Sequence, residues 1–204
     1  MSSVLDYLTS VMFGGALLSI ILSANDIASE NQSVYNGDML VQQMLVETAY
    51  MLEGEFRNMG VGVPENDRIV RGADTSNIAF LSDIDRNGTP DTVRYYLGAT
   101  SEMSGTQNPL DRPLYRTVNN SVPAKVGVVT VFRMMFMTRT GEVLATPVVS
   151  GRLSEVHSVE ITMEVQNPYA TLRSAGEVRA GERNALFSSS LWQQTRLASQ
   201  NMKR

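Results

Sequence analysis

Residues 3–60 decide the fold, and they open with 18 residues that carry no charge, YLTSVMFGGALLSIILSA at positions 7–24. A helix of this run would be about 27 Å long, which is at the short end of what spans a bilayer. No Lys or Arg precedes Arg57, so the run lacks the basic start of a secretory signal. We predict a hydrophobic membrane helix over residues 1–30, with a buried helix of a soluble protein as the alternative.

Two adjacent glycines, Gly14 and Gly15, interrupt the apolar run. Glycine lets another backbone approach closely, and it is also a point at which a helix can unwind. Because glycine is common in membrane helices, simple tolerance is the other interpretation.

The next 30 residues, 31–60, carry an apolar stripe at intervals of three, four or seven residues, which predicts an amphipathic helix that packs on a globular head. The stripe consists of Val34, Val41, Leu45, Thr48, Leu52, Phe56 and Met59. Gly60 stands where a helix commonly ends in glycine, and Pro64 prevents the helix from resuming. One helix of this combined length is therefore expected, half in an apolar environment and half under the head.

Residues 61–204 predict a β-rich head, so the expected fold class is α+β, with the long helix packed on a mainly antiparallel sheet. Asn77–Ser82 and residues 92–97 flank a turn and predict a hairpin. Residues 126–137 are apolar on both faces, as in a central strand. A mobile loop is expected at 169–183 and a frayed tail at 199–204. Further strands are predicted at residues 113–118, 143–149, 156–165 and 186–197.

The turn between the hairpin strands reads D-x-D-x-N-G-x-x-D and matches the first half of an EF-hand loop. Ca²⁺ requires six to eight hard oxygen ligands, and this spacing directs oxygens inward. The twelfth position, where a bidentate Glu belongs, is Arg94. A hairpin loop that uses these residues only for turn geometry is the alternative. The candidate calcium ligands are Asp83, Asp85, Asn87 and Asp91.

The composition excludes several classes of function. The chain has no cysteine and one histidine, His157, which removes disulfides, thiolate metal sites and most histidine chemistry. No nucleophile elbow, Walker loop, dinucleotide fingerprint or H-E-x-x-H motif is present, so we expect no enzyme. Basic residues near the C-terminus alternate with acidic ones and give no strong nucleic-acid signal. Residues 1–100 carry five basic and thirteen acidic side chains, whereas residues 101–204 carry twelve and eight.

A hydrophobic helix that continues as an amphipathic one and ends EFRNMGVG resembles the type IV pilin-like proteins. The similarity is closest to the PilW-type minor pilins and the J-type pseudopilins of type II secretion. Residues 78–97, IAFLSDIDRNGTPDTVRYYL, resemble the family's strand, Asp/Asn/Gly turn and Tyr-bearing strand. VTVFRMMFMTRTGEV and VHSVEITMEV resemble its later apolar strand, Gly turn and alternating strand.

The resemblance implies a structural subunit of an extracellular pilus or secretion pseudopilus, held in the inner membrane by its apolar helix before it assembles with other pilin-like subunits. If Met1 is removed, Asp6 becomes the fifth residue, where the family has a carboxylate that neutralises a neighbour's N-terminal amine. Asp6, Gly14 and Gly15 are thus the candidate assembly residues. The alternative is a single-pass membrane-anchored β-domain that binds calcium or a partner and does not polymerise.

Overall fold

The computed structural model describes residues 2–168, 190–199 and 201. It begins with a single helix, α1 (Ser2–Arg57), of 56 residues and about 84 Å. Short 3-10 helices occupy Thr100–Met103 and Ser150–Glu155. The strands of the described residues are β1 (Val70–Asp74), β2 (Asn77–Ser82), β3 (Asp91–Leu97), β4 (Arg112–Val118), β5 (Ala124–Val129), β6 (Val131–Met137), β7 (Val143–Leu144), β8 (Ser158–Gln166) and β9 (Ser190–Leu197).

These strands form two sheets in which every pairing is antiparallel. Sheet 1 has the order β1-β2-β3-β4-β5, and sheet 2 has the order β7-β6-β8-β9. The α+β class is therefore confirmed, as is the predicted hairpin, which is β2 and β3. The alternating pattern that predicted β8 is also confirmed, since its apolar residues face the core and its polar residues after Ser158 are only half buried. β9 is an edge strand of sheet 2, as predicted.

The prediction of one central strand over residues 126–137 is wrong. The chain leaves sheet 1 after Val129 and enters sheet 2 at Val131. Between them, the Thr130 N–H donates to the Glu164 carbonyl at 2.9 Å. Apolar residues on both faces of the run serve two half-buried strands in succession rather than one fully buried strand. The strand predicted at residues 143–149 is likewise limited to Val143–Leu144.

The prediction of a frayed tail is wrong for Ser199 and Asn201. Ser199 is fully buried, and its hydroxyl donates to the Met59 carbonyl at 2.6 Å. The Asn201 side-chain amide donates to the same carbonyl at 3.3 Å. The end of the chain therefore satisfies a carbonyl that follows the end of α1. The predicted loop at 169–183 and the first four residues of the last predicted strand lie outside the described residues.

The second half of α1 packs into the core that both sheets enclose. The described members of its predicted stripe are all buried: Val41, Leu45, Thr48, Leu52, Phe56 and Met59. Gly60 has φ +81°, and its N–H donates to the Leu81 carbonyl at 2.8 Å. The predicted glycine stop is thus confirmed, because a left-handed residue there turns the chain into sheet 1.

An ionic and aromatic contact fixes the last turns of α1 to the centre of sheet 1. Glu55 accepts a hydrogen bond from the Tyr95 hydroxyl at 2.6 Å and pairs with the Arg116 guanidinium through both carboxylate oxygens. Burial raises the pKa of Tyr95, and the hydrogen bond to Glu55 raises the pKa of Arg116. The Phe56 ring lies 5.4 Å from Phe80 and 5.7 Å from Tyr95, centroid to centroid. Two neighbouring helix residues therefore set the direction in which α1 leaves the head.

A close approach of helix and sheet at Gly127 gives the first prediction. A Cβ atom added to Gly127 would lie 2.8 Å from the Thr48 hydroxyl oxygen. Gly127→Ala should lower the free energy of unfolding by about 1–3 kcal/mol, because the added methyl group would overlap the buried Thr48 side chain. Thr48→Ala in the same chain should restore part of this loss, since only the Thr48 Cβ, 3.6 Å away, then remains.

Denaturant unfolding in detergent micelles measures both variants. Gly54→Ala is the matched control, because nothing lies within 4 Å of its added Cβ and the helix should gain about 1 kcal/mol. Additive effects of Gly127→Ala and Thr48→Ala would contradict this packing.

Candidate functional site

The first candidate site is the apolar part of α1, Ser3–Ser29, here called the projecting segment. It has a mean hydropathy of 1.8, and none of its most apolar window is buried. Each of its large apolar side chains exposes 55–74% of its surface. At 27 residues it is about 40 Å long, which is enough to cross a hydrocarbon core of about 30 Å. The segment is therefore long and apolar enough to span a membrane.

Hydroxyl groups near the start of the projecting segment are satisfied within the helix. The Thr9 hydroxyl donates to the carbonyls of Leu5 and Asp6 at 3.0 and 2.9 Å. The Ser10 hydroxyl donates to the Asp6 carbonyl at 2.8 Å. Because each hydroxyl already donates within the helix, Thr9 and Ser10 can enter an apolar environment without an unsatisfied donor. Asp6 itself is exposed, and these bonds use its backbone carbonyl rather than its carboxylate.

The two candidate assembly glycines have no packing partner in the part of the chain that the structure describes. A Cβ atom added to Gly14 or Gly15 meets nothing within 4 Å. Each glycine weakens a helix by about 1 kcal/mol relative to alanine, so the fold of the single chain gives no reason for the pair. Gly14 lies eight residues from Asp6, or about 12 Å along the helix. The structure thus places the three candidate assembly residues on one segment, with Asp6 apart from the glycine pair.

The second candidate site is the aspartate turn, residues 83–91, between β2 and β3. One carboxylate oxygen from each of Asp83, Asp85 and Asp91 lies within 4.8 Å of the others. The Asp83 oxygens accept from the backbone N–H groups of Asn87 and Gly88, at 3.1 and 3.0 Å. The sequence prediction that these carboxylates converge is confirmed. Their binding of calcium stays a prediction.

The fourth predicted ligand, Asn87, closes the turn from within. Its N–H also donates to Asp85 at 3.1 Å, its side-chain amide donates to the other Asp85 oxygen at 2.8 Å, and its amide oxygen accepts from the Thr89 N–H. Asp91 accepts from the Ile84 N–H and from the Asn119 side chain. The turn therefore holds its carboxylates together through backbone donors, as a hairpin loop with Asx geometry does.

Arg94, at the twelfth position of the motif, points its guanidinium elsewhere. Its Nε donates to the Asn77 amide oxygen at 3.0 Å, and its guanidinium lies 5.0 Å from the centroid of the Tyr96 ring. The side chain at this position therefore supplies no oxygen ligand for calcium. A calcium ion at the turn would take its remaining ligands from water and backbone carbonyls.

His157 lines an open depression of about 350 Å³ beside Glu142 and Glu155. Arg152 donates to both of these carboxylates, at 2.9 and 2.8 Å. The histidine thus stands beside carboxylates that are already paired, which is a poor arrangement for a proton relay.

Sequence reasoning missed the contact of Glu55 with Tyr95 and Arg116. The sequence shows Glu55 only as a polar residue off the apolar stripe, so nothing local distinguishes it from a solvated side chain. Tyr95 lies 40 positions after Glu55 in the chain, and Arg116 lies 61 positions after it. The only sequence signal is the inward position of Tyr95, which follows from the alternation along β3.

Comparisons with models of protein families, with curated proteins and with solved structures found no match for this chain. The resemblance to pilin-like proteins therefore rests on sequence features alone. The projecting segment and the aspartate turn are candidate sites on physical grounds, the first because it exposes a long apolar surface and the second because three carboxylates converge.

Calcium binding at the aspartate turn is the second prediction. Extracellular calcium modules bind with dissociation constants of about 10⁻⁴ to 10⁻³ M, and a turn without the bidentate Glu should lie in that range. Calorimetry should show one calcium per chain fewer for Asp85→Asn than for the wild type. Asp67→Asn is the matched control, because Asp67 is an exposed carboxylate paired with Arg71. An unchanged stoichiometry in Asp85→Asn would contradict the prediction.

Proposed function

We propose that this protein is a structural subunit of an extracellular pilin-like filament or secretion pseudopilus. The projecting segment anchors it in the inner membrane before assembly and packs with helices of other pilin-like subunits afterwards. The β-rich head faces outward from the filament. In both states, the apolar surface that one chain leaves exposed is covered by something other than this chain.

The observation that carries the proposal is that one helix serves both parts. Its projecting segment is exposed on all sides, and one face of its second half is buried in the core. A flexible tether would suffice for an anchor, since a tether transmits no orientation. A continuous helix held through Glu55 and Phe56 instead fixes the head relative to the segment, as a repeating filament requires of each subunit.

Asp6 has a specific role in this proposal. It is the only charged residue in the first 25 positions of the chain. A carboxylate among packed apolar helices is costly unless a positive group pairs with it. The N-terminal amine of a neighbouring subunit supplies such a group, and the pair then selects the axial register of one helix against the next.

A second function, from another class, is a membrane-anchored β-domain that never polymerises and binds calcium or a partner. The convergence of three carboxylates within 4.8 Å favours it. Electron microscopy of material sheared from the cell surface distinguishes the two. Helical filaments that contain this chain support the first function, and a chain confined to the membrane fraction supports the second.

Replacement of Asp6 is the third prediction. Asp6→Ala should reduce filament yield strongly while the head unfolds as in the wild type, because the exposed carboxylate contributes nothing to the core. Immunoblots of sheared surface material measure the yield. Asp26→Ala is the matched control, as it removes a carboxylate near the other end of the same segment. Undiminished yield in Asp6→Ala would eliminate the assembly role.

Replacement of the helix glycines is the fourth prediction. Gly15→Leu should leave the unfolding of the head unchanged, because no part of the described head lies within 4 Å of a Cβ added at this position. It should nonetheless lower filament yield, since a bulky side chain keeps two helices apart. Leu18→Ile on the same segment is the control for a change of shape without added bulk. Normal yield in Gly15→Leu would show that the glycines are merely tolerated.

A further inference from the structure

A second group of oxygen-bearing side chains lies away from the aspartate turn, where the β3–β4 loop meets the end of β8. The tripeptide Gln-Asn-Pro occurs at both places, at residues 107–109 and 166–168. The asparagine of each, Asn108 and Asn167, is buried. We call these six residues the Gln-Asn-Pro pair.

The two tripeptides bond to each other directly. The Gln107 N–H donates to the Pro168 carbonyl at 3.0 Å, and the Asn108 side-chain amide donates to the Gln166 amide oxygen at 3.1 Å. The Asn108 amide oxygen accepts from the Leu110 N–H at 3.0 Å. The pair therefore fixes the loop on the end of β8 and places the Asn108 side chain in a buried position.

Asp111 lies in the same turn, because its N–H donates to the Asn108 carbonyl at 3.2 Å. It is 1% exposed, and its Oδ2 atom has no hydrogen-bond partner among residues 2–168, 190–199 and 201. The Thr106 hydroxyl, which donates to the Met103 carbonyl at 3.0 Å, lies beside the carboxyl group, and burial raises the pKa of Asp111. None of the ion pairs within residues 2–168, 190–199 and 201 includes Asp111.

A buried carboxylate oxygen without a donor is unfavourable when the group is ionised, and a bound cation removes the cost. Hard divalent cations prefer carboxylate, amide and hydroxyl oxygens, and six consecutive residues supply one of each, from Asp111, Asn108 and Thr106. Ser104 and Gly105, which precede Thr106 in the same loop, are exposed.

The aspartate turn differs in this respect. Both oxygens of Asp83 accept from backbone N–H groups, and both oxygens of Asp85 accept from Asn87. The carboxylates of the turn are thus satisfied by the chain, whereas that of Asp111 is satisfied on one side only.

We propose that Asp111 is the anionic ligand of a site for a hard divalent cation of the Ca²⁺ class, with Thr106 and Asn108 supplying neutral oxygens. This site is independent of the aspartate turn and of the filament role. The ion joins the β3–β4 loop to the end of β8, and so it links the two sheets.

The test is the melting temperature of the full chain in detergent micelles at pH 7, in EDTA and in rising calcium. The wild type should melt at higher temperature as calcium rises, because the ion binds only the folded chain. Asp111→Asn should lose this rise when it is compared in an Asp85→Asn background, which removes the separate contribution of the aspartate turn. In EDTA it should melt at or above the wild-type temperature, since the ionised acid destabilises the fold above its raised pKa.

Two further variants complete the test. Thr106→Val keeps the carboxylate and removes one oxygen, and it should weaken the apparent calcium affinity by about tenfold or more. Asp85→Asn removes a carboxylate of the aspartate turn and should retain the calcium-dependent rise that belongs to Asp111. No calcium-dependent rise in Asp85→Asn at millimolar calcium, or that rise kept when Asp111→Asn is added to it, would overturn the proposal.

Discussion

The contact between the last turns of α1 and the centre of sheet 1 is the constraint on which the structure depends. Phe56 contributes apolar area against Phe80 and Tyr95, and Glu55 contributes charge that Tyr95 and Arg116 satisfy. Truncation of a buried phenylalanine costs about 3–5 kcal/mol, a large part of the stability of a small domain. Because a helix bends only gently, the contact also fixes where residues some 40 Å or more away are placed.

The two halves of α1 solve opposite problems with the same backbone. The second half is held in place by its contacts with the core, because the chain has no cysteine and therefore no disulfide that could contribute. The projecting segment gains nothing from the head and presents apolar surface on every side. Lipid can cover that surface in a membrane, and other helices can cover it in a filament. Transfer of the projecting segment from lipid to packed helices would therefore require no change of fold in the head.

Local patterns sufficed to predict much of this fold. Helix periodicity predicted the buried stripe of α1, and turn residues predicted the β2–β3 hairpin together with the convergence of its aspartates. They did not predict the break at Thr130, because an apolar run on both faces fits one central strand as well as two strands in different sheets. Local patterns also did not predict the burial of Ser199 and Asp111, since their burial depends on residues that are distant in the sequence. Residue types in the sequence indicate candidate ligands, but only the folded structure shows which of their polar atoms already have hydrogen-bond partners.

The central claim is that equivalent projecting segments pack against one another outside the cell. The chain has no cysteine, so Leu17→Cys gives a single reactive position in the segment, and Val122→Cys gives an exposed control on the head. Oxidation of material sheared from the cell surface, followed by non-reducing electrophoresis, measures whether Leu17 positions of neighbouring copies meet. The account predicts disulfide-linked dimers for Leu17→Cys and far fewer for Val122→Cys. Only monomers in the membrane fraction, with no chain in the sheared material, would contradict it.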